Sequence, residues 1–313
     1  GAYIIQEKDL NDLHLEVGLR FDMVRTRSSS TGVFYPIGIQ SGAIDSTSYK
    51  NRNFEALSGS IAAIYNLGGG LSLGASILRS FRAPSMEELY SEGPHLASYS
   101  FEIGNPDLDP ERAWAKEVFV GYQVNRLNLT AAVFHNSFDN FLFAQNTGRI
   151  NPTRSDLQDY QFTGNKAWLY GYEFSGEVKL SKNFLTQLSV SKTIGQQEVS
   201  IDSGEDVKKP LPQIPPLKGK LSLKYVKNEF EIGSQIQHAT KQDRTGNFET
   251  ATDAYTTIDI FSQYRFNSRK LLHSISFNIN NLLDTEYQNH LSRIKDLRPE
   301  PGRNISLLYR VYF

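Results

Sequence analysis

The 313 residues include six histidines and no cysteine, so chemistry that needs a metal ligand or a base rests on few positions. His95 stands alone in EELYSEGPHLA (87–97), with Glu87, Glu88 and Tyr90 just before it and Glu102 just after. A neutral imidazole ligates iron or zinc through one ring nitrogen. Without thiolates, zinc would need three or four nitrogen or oxygen ligands. Here those are His95, Glu102 and Glu87 or Glu88, completed from distant loops, with His290 and His238 as further candidates. Neither an HxH nor an HxxxH spacing occurs, so a hydrogen-bonded loop histidine is the simpler reading of His95 from spacing alone.

Nearby cations suggest a second kind of chemistry. Arg79, Arg82, Arg112 and Lys116 could hold an anionic ligand, because a guanidinium presents a fork that matches a carboxylate. Glu87, Glu102 or Glu111 could equally satisfy them in a surface network. NPDLDPE (105–111) spaces Asp107, Asp109 and Glu111 at every second residue, but Pro110 intervenes and the calcium-loop pattern fails. No G-x-S-x-G, paired-carboxylate pattern or metalloprotease helix occurs, so the sequence does not read as an enzyme. A formal net charge of −1 gives no bulk electrostatic case for nucleic acid.

These residues interrupt a chain whose dominant period is two. In LHLEVGLRFDMV (13–24) Leu13, Leu15, Val17, Leu19, Phe21 and Met23 share one face, while His14, Glu16, Gly18, Arg20 and Asp22 share the other. Thirteen such segments are expected, near 2–7, 13–27, 54–67, 70–82, 114–124, 127–144, 167–181, 185–197, 217–226, 229–239, 255–266, 273–283 and 303–313. The apolar stretch 59–78 has the length of a spanning helix, but Gly68, Gly69 and Gly70 at its centre point to a hairpin instead. PLPQIPPL (210–217) reads as a stiff loop entering a strand. The start GAYIIQ shows no signal-peptide pattern.

The connections alternate between short and long. Short ones are expected at 8–12, 68–69, 125–126, 182–184, 227–228 and 267–272, and long ones at 28–53, 83–113, 145–166, 198–216, 240–254 and 284–302. A sheet with one tight end and one end of large loops is the signature of an outer-membrane barrel. Lipid cannot satisfy a free edge or an irregular backbone. The expected fold is therefore all-β, an antiparallel transmembrane β-barrel contacting outer-membrane lipid. Tyr309, Val311 and Phe313 end the chain in an alternating row that resembles the assembly signal of bacterial outer-membrane proteins. Trp168, Tyr170 and Tyr172 are candidates for an aromatic girdle.

SFRAPSMEELYSEGPHLASYSFEIGNPDLDPERAWAKEV (80–118) resembles the FRAP…NPxL region of TonB-dependent outer-membrane receptors. NLLDTEY (281–287), PGR (301–303) and the terminal YRVYF resemble the same family's carboxy-terminal block, and GYEFSGE (171–177) fits as well. The resemblance implies a 22-stranded barrel enclosing an amino-terminal plug. Residues 1–313 would then be the last thirteen strands of one barrel domain, with the plug and the TonB contact in a missing amino-terminal part. Parity agrees, because an odd-stranded meander closes in parallel, which single-chain bacterial barrels avoid.

The implied function is TonB-dependent uptake of a scarce nutrient at the bacterial outer membrane, with no cofactor required. Transported haem, ferric siderophore or zinc are the cargo candidates, iron complexes first. Counting strand directions back from a periplasmic carboxy-terminus puts all six long loops outside the cell. His95 between FRAP and NPDL matches the placement of a haem-ligating histidine in the family's haem receptors. The ligand-binding expectation is His95, Arg82, Glu87, Glu88, Tyr90, Glu102 and His290, with His95 as the metal ligand. The excursion around His95 is expected to carry recognition instead of sheet structure. A passive porin-like channel is the alternative, and a soluble surface-binding β protein a third reading.

Overall fold

A computed structural model of the chain describes residues 1–27, 51–200 and 204–313. The elements in chain order begin with β1 (Ala2–Leu10), β2 (Leu13–Thr26), β3 (Arg52–Gly68) and β4 (Leu71–Arg82). A short helix α1 (Met86–Tyr90) and two short strands, β5 (Glu92–His95) and β6 (Ser100–Ile103), follow. Next come β7 (Glu111–Val124), β8 (Leu127–Ile150), β9 (Gln158–Lys179), β10 (Phe184–Ser200) and β11 (Asp206–Pro210). The chain ends with β12 (Lys218–Lys227), β13 (Phe230–Ala239), β14 (Tyr255–Ser268), β15 (Leu271–Asn280) and β16 (Asn304–Tyr312).

Thirteen of these strands form one antiparallel meander in chain order, and they coincide with the thirteen expected segments. β5, β6 and β11 are additions at its margin. The tight turns are built from residues that tolerate positive φ, among them Asn11 (54°), Gly69 (59°), Gly70 (87°) and Asn228 (52°). Residues 59–78 are a hairpin, and no helix among the described residues is long and apolar enough to cross a membrane.

Register places the apolar positions of successive strands side by side. Leu71, Tyr122, Leu129, Gly176, Leu188, Leu221, Ile236 and Ile258 form one row across eight neighbouring strands. Residues on this face are widely exposed in the isolated chain, Leu19, Leu57 and Ile61 among them. Fully burying one such side chain contributes about 1.5–3 kcal/mol, a gain that lipid supplies on this face. On the opposite face Asn128, Glu177, Gln187, Ser222, Gln235 and Asp259 form a polar row. Gln187 donates to Glu177 at 2.9 Å within that row. One face for lipid and one for a wet interior follow from the period of two.

The sheet does not close on itself. β1 pairs only with β2, β16 pairs only with β15, and every residue of both is exposed. Twelve antiparallel steps make the two edges run the same way, so they cannot complete an antiparallel barrel with each other. Tyr309 and Val311 lie on β16, and Phe313 follows it, fully exposed.

Two expectations about loops are corrected. The long connection expected at 145–166 is mostly strand: β8 and β9 stay paired out to Ile150 and Gln158, leaving 151–157 to turn the chain. β8 has 24 residues where a barrel strand needs about 9–11 to span a bilayer, so this hairpin projects well beyond the membrane. The segment around His95, expected to lack sheet structure, contains α1 and the β5–β6 hairpin. The connection expected at 28–53 lies, through residue 50, outside the described residues.

Candidate functional site

Pro84 follows the end of β4, where its missing N–H ends the ladder, and Ser85 then caps α1. The Ser85 hydroxyl accepts from the Glu88 N–H at 3.1 Å, and the Glu88 carboxylate accepts from the Ser85 N–H at 2.8 Å. This reciprocal pair is the capping box encoded by S-x-x-E. Leu89 on the helix packs with Leu108 and Leu142 in a small buried core, flanked by Tyr90 and Phe162. Arg52 donates to the carbonyls of Pro106 and Leu108, tying the NPDL turn to β3. Gly104 lets the chain return against α1, because a Cβ there would sit 2.6 Å from the backbone nitrogens of Tyr90 and Ser91.

The hairpin above this base is fastened to the long projecting pair. β6 runs parallel to the start of β9, with Ser100 opposite Gln158 and Ile103 opposite Gln161. The Gln161 amide adds bonds to the carbonyls of Ile103 (3.2 Å) and Gly104 (3.0 Å). His95 therefore stands at the end of β5 on a built platform.

His95 has a side chain 57 % exposed, while Glu102 beneath it is 11 % exposed. His95 Nδ1 lies 3.1 Å from Glu102 Oε1. Arg293, from the last long connection, donates from Nη1 to that same oxygen at 3.0 Å. Its guanidinium also lies 5.1 Å from the centre of the Tyr160 ring on β9, a cation–π contact. Two segments 191 residues apart thus meet on one carboxylate oxygen.

The other expected site residues divide into distinct groups. Arg82 grips Glu88 with Nη1 (3.0 and 2.8 Å) and reaches Glu111 with Nη2 at 3.2 Å. Burial pushes the Glu88 carboxyl up, but Arg82 and the Ser85 cap outweigh it and hold it below the ordinary value. Glu87 is exposed on the first turn of α1, and Tyr90 packs on the leucine core. Arg79 is engaged by Asp139 at 2.7 Å. His238 bonds Thr256 at 2.9 Å.

His290 is not beside His95 and is not exposed. Its side chain is 0 % exposed, with Nδ1 3.0 Å from the Thr252 hydroxyl and Nε2 3.2 Å from Glu249 Oε1, out of line for a hydrogen bond. Lys295 Nζ lies 3.6 Å from the same oxygen. The Glu249 carboxylate also accepts the N–H groups of Gln213 and Gly246, each at 2.8 Å. Burial pushes the Glu249 carboxyl up, yet His290 and those N–H groups outweigh it and hold it below the ordinary carboxylate value. This knot holds three outer connections together and lines the floor of a pocket walled by Phe143, Tyr160, Phe248 and Arg293.

Among the described residues no three or more His, Asp or Glu side chains are placed to hold a metal ion. The zinc set of His95, Glu102 and Glu87 or Glu88 is therefore not assembled, because Glu88 is turned to Arg82 and Glu102 is shared with Arg293. Arg293, Tyr160 and Glu249 were not legible as site residues, since no motif joins positions so far apart.

Comparison with known proteins bears on the family and the fold. The family described as "TonB dependent receptor-like, beta-barrel" matches residues 1–282. "TonB-dependent heme receptor A" of Haemophilus ducreyi (strain 35000HP / ATCC 700724) is 24% identical over 337 residues, covering 98% of this chain and 44% of that protein. "Heme/hemopexin utilization protein C" of Haemophilus influenzae (strain 86-028NP) is 26% identical, over 76% of this chain and 35% of that protein. The chain thus spans less than half the length of these relatives. Among solved structures, the copper transporter OprC superposes with a TM-score of 0.74 at 21% identity, over 96% of this chain and 46% of that one. The FrpB iron transporter of Neisseria meningitidis (F3-3 variant) gives 0.70 at 17% identity, over 99% and 44%.

Proposed function

Because the chain belongs to the β-barrel family of TonB-dependent receptors, we propose that it is part of an outer-membrane receptor that captures haem for TonB-dependent uptake. The observation that carries this reading is the setting of His95. Its Nδ1 faces a carboxylate, and its ring stands exposed at the tip of a braced hairpin. Metal-ligating histidines generally donate their second ring N–H to a carboxylate or carbonyl, which fixes the tautomer and leaves the other nitrogen for the metal. His95 Nε2 is then free to take an axial position on haem iron.

One relative named as a heme receptor and another named for heme/hemopexin utilization support the choice of haem over a siderophore. The two open edges, β1 and β16, are completed by strands of a longer protein, and the polar inner row faces that protein's interior. TonB is engaged through a part outside this chain. The passive porin-like alternative is set aside, since the matching family is described as TonB dependent receptor-like.

Growth of an iron-starved strain with haem as sole iron source tests the reading. The full-length receptor supports growth when TonB is present and fails without it, and His95→Ala reduces growth at low haem. Equal growth with the wild type and His95→Ala at limiting haem would contradict the role of His95.

A further inference from the structure

Glu102 Oε1 is an unusual atom in this site because it serves two donors from unrelated parts of the chain. His95 Nδ1 lies 3.1 Å away and Arg293 Nη1 3.0 Å away. Glu102 is nearly buried, so water competes weakly for that oxygen and both donors depend on it. Arg293 is itself fixed over Tyr160, whose strand also carries β6. The four side chains therefore form a line of contacts that joins β5, β6, β9 and the last long connection.

Resting on the reading of His95 as the haem ligand, we propose that Glu102 is a positioning residue and Arg293 its regulator. Glu102 accepts the Nδ1 proton, selects the tautomer whose Nε2 bears the lone pair, and makes the imidazole a stronger electron donor. Arg293 draws on the same oxygen and weakens that pull. A movement of the last long connection would change the ligand strength of His95 without touching the haem. Loosening Arg293 tightens the iron–histidine bond, and losing Glu102 slackens it.

Resonance Raman spectroscopy of the ferrous haem complex of the full-length receptor tests this through the iron–histidine stretching band, together with haem affinity. Glu102→Gln keeps the size of the side chain but weakens the acceptor. It is expected to lower the band frequency and to reduce affinity by about 10- to 100-fold, the usual consequence of removing such a partner. Arg293→Met keeps much of the side chain's length and removes the competing donor, and it is expected to move the band upward. A purely structural role for either residue would change affinity without these opposed shifts, and that result would overturn the proposal. A band that is lost in His95→Ala but unchanged in both other variants would also overturn it, leaving haem ligation by His95 standing. A wild-type spectrum that His95→Ala does not alter would remove the haem-ligand reading and this proposal with it.

Discussion

Two histidines occupy outer connections of this sheet, and their settings are opposite. His95 sits at the tip of a hairpin, exposed, with one ring nitrogen engaged. His290 is enclosed among Glu249, Lys295 and Thr252, out of contact with water. One imidazole is left exposed by the structure below it, while the other is spent on holding loops together. Residue type and position on an outer loop do not separate these settings. Burial does.

The largest effect should come from breaking the enclosed cluster. Glu249→Ala leaves Lys295 buried without its counter-charge and frees the N–H groups of Gln213 and Gly246. Removing one partner of a buried ion pair costs about 3–5 kcal/mol. Hydrogen exchange at Gln213 and Gly246 should accelerate accordingly, and unchanged exchange there would deny the cluster its structural role. Acid gives a related test. Glu249 is held below 4.5, so its contribution is complete above that value and is lost as the pH falls through the folded one. The outer connections should stay closed at neutral pH and open only below about pH 4.5.

The platform under His95 should respond next. Leu89→Ala empties a site that is 0 % exposed, and such deletions cost about 2–5 kcal/mol. Limited proteolysis between Leu96 and Tyr99 should become faster, whereas unchanged cleavage would mean that the leucine core does not brace the hairpin. Ser85→Ala removes the cap of α1 at a smaller cost of about 1 kcal/mol, read as a lesser increase in the same cleavage. His95→Ala should change stability by no more than about 0.5 kcal/mol, since the exposed ring supports little packing. A large loss of stability in that variant would make His95 structural and erase the contrast with His290.

The sheet was readable from the sequence because its period is local. Each residue from Leu13 to Met23 declares its face by its neighbours two positions away, and the tight turns carry their own Asn and Gly signals. The capping box is equally local, with Ser85 and Glu88 three residues apart, yet the period of two gave no expectation of α1. The projecting ends of β8 and β9 were not readable. Beyond the membrane both faces meet water, the alternation fades, and pairing such as Asn146 with Tyr160 rests on register and cross-strand polar contacts. His95 and Glu102 stood out as neighbours in sequence, but Arg293 comes from a connection nearly two hundred residues later. His290 resembled a ligand in sequence because nothing near it announces that Glu249 and Lys295 enclose it.

The measurement that bears most directly on the account is a haem titration of the full-length receptor in detergent, followed by absorbance, with wild type beside His95→Ala and His290→Ala. Haem ligation by His95 predicts a saturable Soret shift in wild type and in His290→Ala that is lost in His95→Ala. No shift in wild type, or a shift that survives His95→Ala, would contradict it.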